Sequence, residues 1–281
     1  MFNIIEAKTL NKDVKSFKIT ASRIAKVCLP GQFVIIHATE EAERIPLTIA
    51  DYSRTEGWIR IIFQLVGTTT MKLAQLTAGD EIRDVVGPLG KPSNLENLKN
   101  VCVIGGGVGC AIALPVARGL FKKGVHVETI IGFRNRDLII LEEEFKRYST
   151  NLSIMTDDGS AGEKGLVTHK LEELIMKGHQ FDEVIAIGPL IMMKFVALLT
   201  KKYQIKTIVS MNPIMIDGTG MCGCCRVRVG GKTKFACVDG PDFDAHEIDF
   251  DEAIMRNKMY LEEEQASREQ TCNLFKGVTH E

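Results

Sequence analysis

The chain has 281 residues, 45% of them hydrophobic and 25% charged, with a formal net charge of −1. Charge this close to neutral removes the electrostatic drive towards nucleic acid or an anionic membrane surface, and the length exceeds one small domain. The opening MFNIIEAKTLNKD has no basic region ahead of an apolar core, so no secretory signal is expected and the cytoplasm is the expected location.

Residues 1–98 read as short strands divided by turn signals. Val14–Ile19, Gln32–Ile36 and Trp58–Val66 alternate in part, and breaks fall at Pro30-Gly31, Glu56-Gly57, Gly79-Asp80 and Gly87–Gly90. About six such strands predict a small antiparallel barrel. Within it, Arg44-Ile45-Pro46-Leu47-Thr48 offers a guanidinium suited to a diphosphate and a hydroxyl suited to a ring nitrogen. Gly67-Thr68-Thr69-Thr70 adds amides and hydroxyls for the same phosphates, although an exposed arginine and an ordinary polar turn account for both segments equally well.

The texture changes over residues 99–210. Val101–Ile104 is an apolar run leading into Gly105-Gly106-Gly107-Val108-Gly109 and a helical stretch to Lys123. Residues 100–117 carry no charge, but their glycines and Pro115 favour strand, turn and helix over a membrane span. Strands at His126–Ile131, Asn151–Met155, Glu183–Ile187 and Thr207–Val209 alternate with amphipathic stretches at Leu138–Tyr148, Leu166–Lys177 and Ile191–Tyr203. That alternation predicts a doubly wound parallel sheet with ligands beyond the carboxyl ends of its strands. Asp157-Asp158-Gly159 and Gly188-Pro189 place further turns there, and glycine turns suit the close approach of a pyrophosphate. The second strand lacks the acid that commonly binds the ribose. Arg134 and Arg136 follow it instead, leaving NAD against NADP open.

Residues 211–243 contain Asp217, Cys222, Cys225 and Cys237, separated by four, two and eleven residues. This is the plant-type [2Fe–2S] spacing with aspartate in the first thiolate position, and Gly218, Gly220 and Gly223 permit a tight loop. Cys224 in place of Asp217, or a zinc site completed by Cys224 or Cys272, are the alternatives. Cys28, Cys102, Cys110 and Cys272 are scattered and read as plain thiols, and the six scattered histidines form no ligand pattern. Residues 244–281, rich in charge, predict an exposed helix.

Barrel, glycine-turn sheet and cluster loop in this order resemble the ferredoxin-reductase superfamily. The likeness extends to the electron-transfer subunit of dihydroorotate dehydrogenase B and to the small subunit of NADH-dependent ferredoxin:NADP oxidoreductases, also called sulfide dehydrogenases. The latter family holds its cluster with one aspartate and three cysteines, the pattern of Asp217, Cys222, Cys225 and Cys237.

This resemblance implies FAD against Ile45–Thr48, Ile62-Phe63-Gln64 and Gly67, Thr69 and Thr70, with Arg44 one place ahead of the family's arginine position at Ile45. It implies NAD(H) against Gly105, Gly106, Gly107, Gly109, Asp157, Asp158, Gly159, Gly188 and Pro189. No catalytic acid or base is implied, because the cofactors carry hydride transfer. The implied activity is an electron-bifurcating oxidoreductase subunit passing electrons to a larger flavin and [4Fe–4S] partner that acts on NADP(H) and ferredoxin. A dihydroorotate dehydrogenase partner is the alternative within the same chemistry. A zinc-stabilised nucleotide-binding regulator is the alternative outside it.

Overall fold

The computed structural model describes residues 2–277, with side chains described as far as residue 269. Strands β1 (Phe2–Asn11), β2 (Val14–Thr20), β3 (Phe33–His37), β4 (Arg44–Ser53), β5 (Trp58–Gln64), β6 (Glu81–Ile82) and β7 (Asp84–Leu89) form one antiparallel sheet in the order β6-β1-β2-β5-β4-β3-β7. Its two edge strands are joined by Arg83 alone, so the sheet curls into a nearly closed barrel. Phe17 and Phe63 meet edge to face inside it, with ring centroids 5.1 Å apart. Short helices α1 (Ser22–Val27) and α2 (Thr68–Leu73) pack Ile24, Ala25 and Leu73 into its core.

A second seven-stranded sheet follows, built from β8 (Asn100–Gly106), β9 (His126–Phe133), β10 (Asn151–Thr156), β11 (Glu163–Lys164), β12 (Glu183–Ile187), β13 (Thr207–Ser210) and one later strand. The order β11-β10-β9-β8-β12-β13 is parallel throughout. Helices α3 (Cys110–Lys122), α4 (Glu142–Arg147), α5 (Val167–Met176) and α6 (Leu190–Lys202) occupy the crossovers, so β12 reads EVIAI and is buried at every position. The stretch expected as one helix over Leu138–Tyr148 divides into a 3-10 turn at Arg136–Leu138 and α4, with Leu141 at φ +62° between them.

The cluster segment returns to this sheet. A hairpin of β14 (Arg226–Val229) and β15 (Lys232–Phe235) leads through α7 (Ala236–Asp239) to β16 (Asp242–Asp244), which pairs antiparallel with β13. Helices α8 (Phe250–Asn257) and α9 (Leu261–Gly277) end the described chain. The expected tail helix is therefore present and exposed at each described position, while Cys272 lies beyond the described side chains and His280 beyond the described residues. No helix among the described residues is long and apolar enough to cross a membrane.

Two apolar cores cross from the barrel to the rest of the molecule. Val14, Ala50 and Ile62 pack with Leu114 and Ala117 of α3, and Phe33 and Ile35 pack with Met215, Cys225 and Cys237. The barrel thus grips both the parallel sheet and the cluster segment.

Candidate functional site

The turns expected to hold a dinucleotide come together at the carboxyl edge of the parallel sheet. A Cβ on Gly109 would lie 2.5 Å from the carbonyl oxygen of Ile187 and 2.7 Å from Gly188 Cα, and one on Gly188 would lie 3.1 Å from Gly106 Cα. These glycines press the β8 and β12 turns backbone to backbone. Gly107 differs, with φ +54° and open space where a side chain would stand. Ahead of α3, that position leaves backbone amides accessible to a phosphate. The third turn is tied on by Asp157 N–H to the carbonyl of Phe133 at 3.1 Å and Asp158 N–H to that of Arg134 at 3.3 Å. Hydrogen bonds from Ser160 hold the Asp158 carboxyl below its usual range. The side-chain oxygen Oδ1 of Asn135, at the end of β9, is buried without a hydrogen-bond partner.

On the barrel, Arg44–Thr48 is half-buried along β4. Ile45 and Leu47 pack against the barrel core, which leaves their backbone more available than their side chains. Phe63 is likewise a core residue at 2% exposure, and Ile62 packs into the apolar core shared with the parallel sheet. The Thr70 hydroxyl is engaged in capping α2: it accepts from Val66 N–H and Gly67 N–H at 3.1 Å each and donates to the Gly67 carbonyl at 2.9 Å. Thr69 is buried, with its hydroxyl 3.4 Å from Glu43.

In the cluster segment the sulfurs of Cys225 and Cys237 are buried and 3.1 Å apart. Burial and the neighbouring Cys225 push the Cys237 thiol up to about 12, while the Gly220 amide points at the same sulfur and opposes that rise. The Cys222 thiol is lowered by the backbone amides of Cys224 and Asp217. Cys224 is raised by its hydrogen bond with Cys222 and burial, and it lines a cavity of about 270 Å³ with Leu190, Arg256 and Tyr260. Asp217 accepts from the Thr219 hydroxyl, from Thr219 N–H at 2.9 Å and from Met221 N–H at 3.4 Å, and these hold its carboxyl below the usual range.

Gly218, Gly220 and Gly223 take φ of +82°, +90° and +72°, the left-handed turns that wrap this loop. Two buried thiols already side by side, a carboxylate, a further thiol and amides aimed at sulfur make a donor set chemically suited to a [2Fe–2S] cluster. Cys225 and Cys237 converge; Asp217 and Cys222 bond within their own loop, and no three metal-ligating side chains among the described residues surround one point.

A nearly closed antiparallel barrel, a parallel nucleotide-type sheet and an acid–cysteine loop returning to it define a reductase-type electron-transfer protein. The model of the iron-sulfur cluster binding domain of dihydroorotate dehydrogenase B matches residues 212–249. A Thermotoga maritima protein described as a homolog of the dihydroorotate dehydrogenase B (NAD(+)) electron transfer subunit is 47% identical, over 95% of this chain and 94% of its own. The Streptococcus mutans electron transfer subunit of that enzyme is 34% identical over 79% of this chain and 87% of its own. A solved structure of an NADH-dependent reduced ferredoxin-NADP oxidoreductase, studied for flavin-based electron bifurcation, superposes with a TM-score of 0.91 at 45% identity, covering 96% of this chain and 97% of its own. The chain belongs to the family of dihydroorotate dehydrogenase B electron-transfer subunits and their homologues.

Sequence reasoning missed how the parts are clamped together. Arg60 of β5 bonds Glu144 of α4, and Arg118 of α3 bonds Asp51 of β4. The partners lie 84 and 67 residues apart, and no local pattern announces such pairs.

Proposed function

We propose that this chain is the electron-transfer subunit of an NAD(H)-linked, electron-bifurcating oxidoreductase. It binds FAD, NAD(H) and a [2Fe–2S] cluster and hands electrons to a larger flavin and [4Fe–4S] subunit acting on NADP(H) and ferredoxin. One observation carries the reading: a loop with aspartate in the first ligand position, and Cys225 and Cys237 3.1 Å apart, packs against both the barrel and the parallel sheet. The 45% identity and near-complete coverage of the NADH-dependent ferredoxin-NADP oxidoreductase structure support it.

Residues 1–98 serve as the flavin barrel, 99–210 as the nucleotide unit, 211–243 as the cluster segment and 244–281 as a helical tail. When bound, FAD supplies two-electron exchange with the nicotinamide and the cluster supplies one-electron exchange, chemistry no side chain here provides. Gly105, Gly106, Gly107 and Gly109 shape the turn whose amides face the pyrophosphate, Gly188-Pro189 backs it, and Asp157, Asp158 and Gly159 border the adenosine side. Arg44, Pro46 and Thr48 on β4, Gln64 on β5 and the Gly67–Thr70 turn border the flavin. Asp217, Cys222, Cys225 and Cys237 hold the cluster. The free thiols fit a reducing cytoplasm.

The matched iron–sulfur model favours a second reading in which the partner is a dihydroorotate dehydrogenase. Reconstitution decides between them. Pairing with a flavin and [4Fe–4S] subunit is expected to couple NAD(H), NADP(H) and ferredoxin turnover. Dihydroorotate-dependent reduction of this chain instead would assign the second reading.

A further inference from the structure

Gly218, the residue after Asp217, rests on the barrel. A Cβ there would stand 2.9 Å from Ile35 Cγ1 and 2.8 Å from Leu89 Cδ1. Across β3 and β4, Ile35 pairs with Pro46 and His37 pairs with Arg44. Residues directly opposed on antiparallel strands point to one face, and so do residues two apart along a strand. Ile35, His37, Pro46 and Arg44 therefore leave the sheet on the face where the Asp217-Gly218 corner sits. Val34, Ile36, Ile45 and Leu47 take the opposite face and pack with the barrel core.

Arg44 and Ile45 are neighbours on β4 and so take opposite faces of the strand. A shift of one residue along a strand moves a side chain to the other face. The same chain has a carboxylate, Asp217, in the first ligand position of the cluster loop. The Arg44 guanidinium leaves β4 on the face against which the Asp217-Gly218 corner packs. The two do not form a contact ion pair, so Arg44 acts through its charge.

We propose that Arg44 is the counter-charge of the Asp217 corner and sets the electron affinity of the cluster held there. This rests on the cluster reading above. Each electron added to a cluster makes it more negative. A fixed cation beside it favours the reduced form and raises the midpoint potential, and arginine keeps that charge at any physiological pH.

The test compares full-length wild type, Arg44→Lys and Arg44→Gln after anaerobic reconstitution with iron, sulfide and FAD. An EPR-monitored redox titration is read beside iron and FAD content per chain. The expected result is a midpoint shifted to more negative potential in Arg44→Gln and near wild type in Arg44→Lys, each compared among chains that have taken up FAD. Arg44→Ser repeats the neutral comparison should the glutamine variant not fold. An unchanged midpoint in the neutral variants overturns the inference, and loss of FAD with an unchanged midpoint reassigns Arg44 to the flavin diphosphate. A wild type that takes up no [2Fe–2S] signal overturns the functional reading and this inference together.

Discussion

Arg60 on the barrel strand β5 points one guanidinium nitrogen at both carboxylate oxygens of Glu144 on α4, each at 2.9 Å, and its Nε donates to Ser16 at 2.8 Å. The Arg60 side chain is 11% exposed and Glu144 31%, so solvent screens this pair only in part. With Arg118 and Asp51 it clamps the barrel to the helices that flank the parallel sheet. Loss of one partner leaves the other charge poorly solvated. Arg60→Ala is expected to cost about 2 kcal/mol. Urea unfolding of Arg60→Ala, Glu144→Ala and the double variant checks it, and purely additive losses would show that the two residues do not act as a pair.

Gly109 and Gly107 separate packing from binding. A methyl on Gly109 meets the Ile187 carbonyl at 2.5 Å, and backbone cannot step aside as a side chain can. Gly109→Ala is expected to lose about 3 kcal/mol of stability. Gly107→Ala meets open space and pays only for its left-handed backbone, about 1 kcal/mol, while crowding the phosphate position. Thermal denaturation with NADH titration should therefore show Gly109→Ala failing mainly in stability and Gly107→Ala mainly in affinity.

Asp242 on β16 accepts from the Ser93 hydroxyl at 2.5 Å, which fastens the cluster segment to the end of the barrel. Burial raises its carboxyl above the usual range, against the hydrogen bonds of Ser93 and Ser210. A carboxyl raised on folding contributes stability that is fully present below its unfolded value, about 3.9, and is lost as pH rises through the folded value. Asp242→Asn keeps an oxygen for Ser93 and removes the charge. Its denaturation midpoint is expected to exceed that of wild type at pH 7, with the gap closing as pH falls towards about 4. A gap that does not change with pH would contradict the assignment.

The parallel sheet was legible because each strand is a short apolar run between helices of helical period. Glu183–Ile187 was matched end to end, and Thr207–Val209 to within one residue. The cluster loop was legible from spacing and glycines. β1 escaped because Phe2–Asn11 mixes charged and apolar residues without steady alternation. β16 escaped because three residues carry no signal, and its pairing with β13 spans more than thirty residues of sequence. Candidate flavin contacts were read by segment only: the sequence cannot reveal that Thr70 is engaged in capping, or that Ile45 and Leu47 turn to the core while Arg44 takes the opposite face of β4.

The central claim is an electron path from NADH through flavin to a cluster on this chain. An ultraviolet–visible spectrum of the anaerobically purified full-length protein, before and after NADH, tests it most directly. The account predicts flavin bands with broad cluster absorption, both bleaching on addition of NADH. A colourless protein that binds zinc and takes up neither FAD nor iron and sulfide would contradict it.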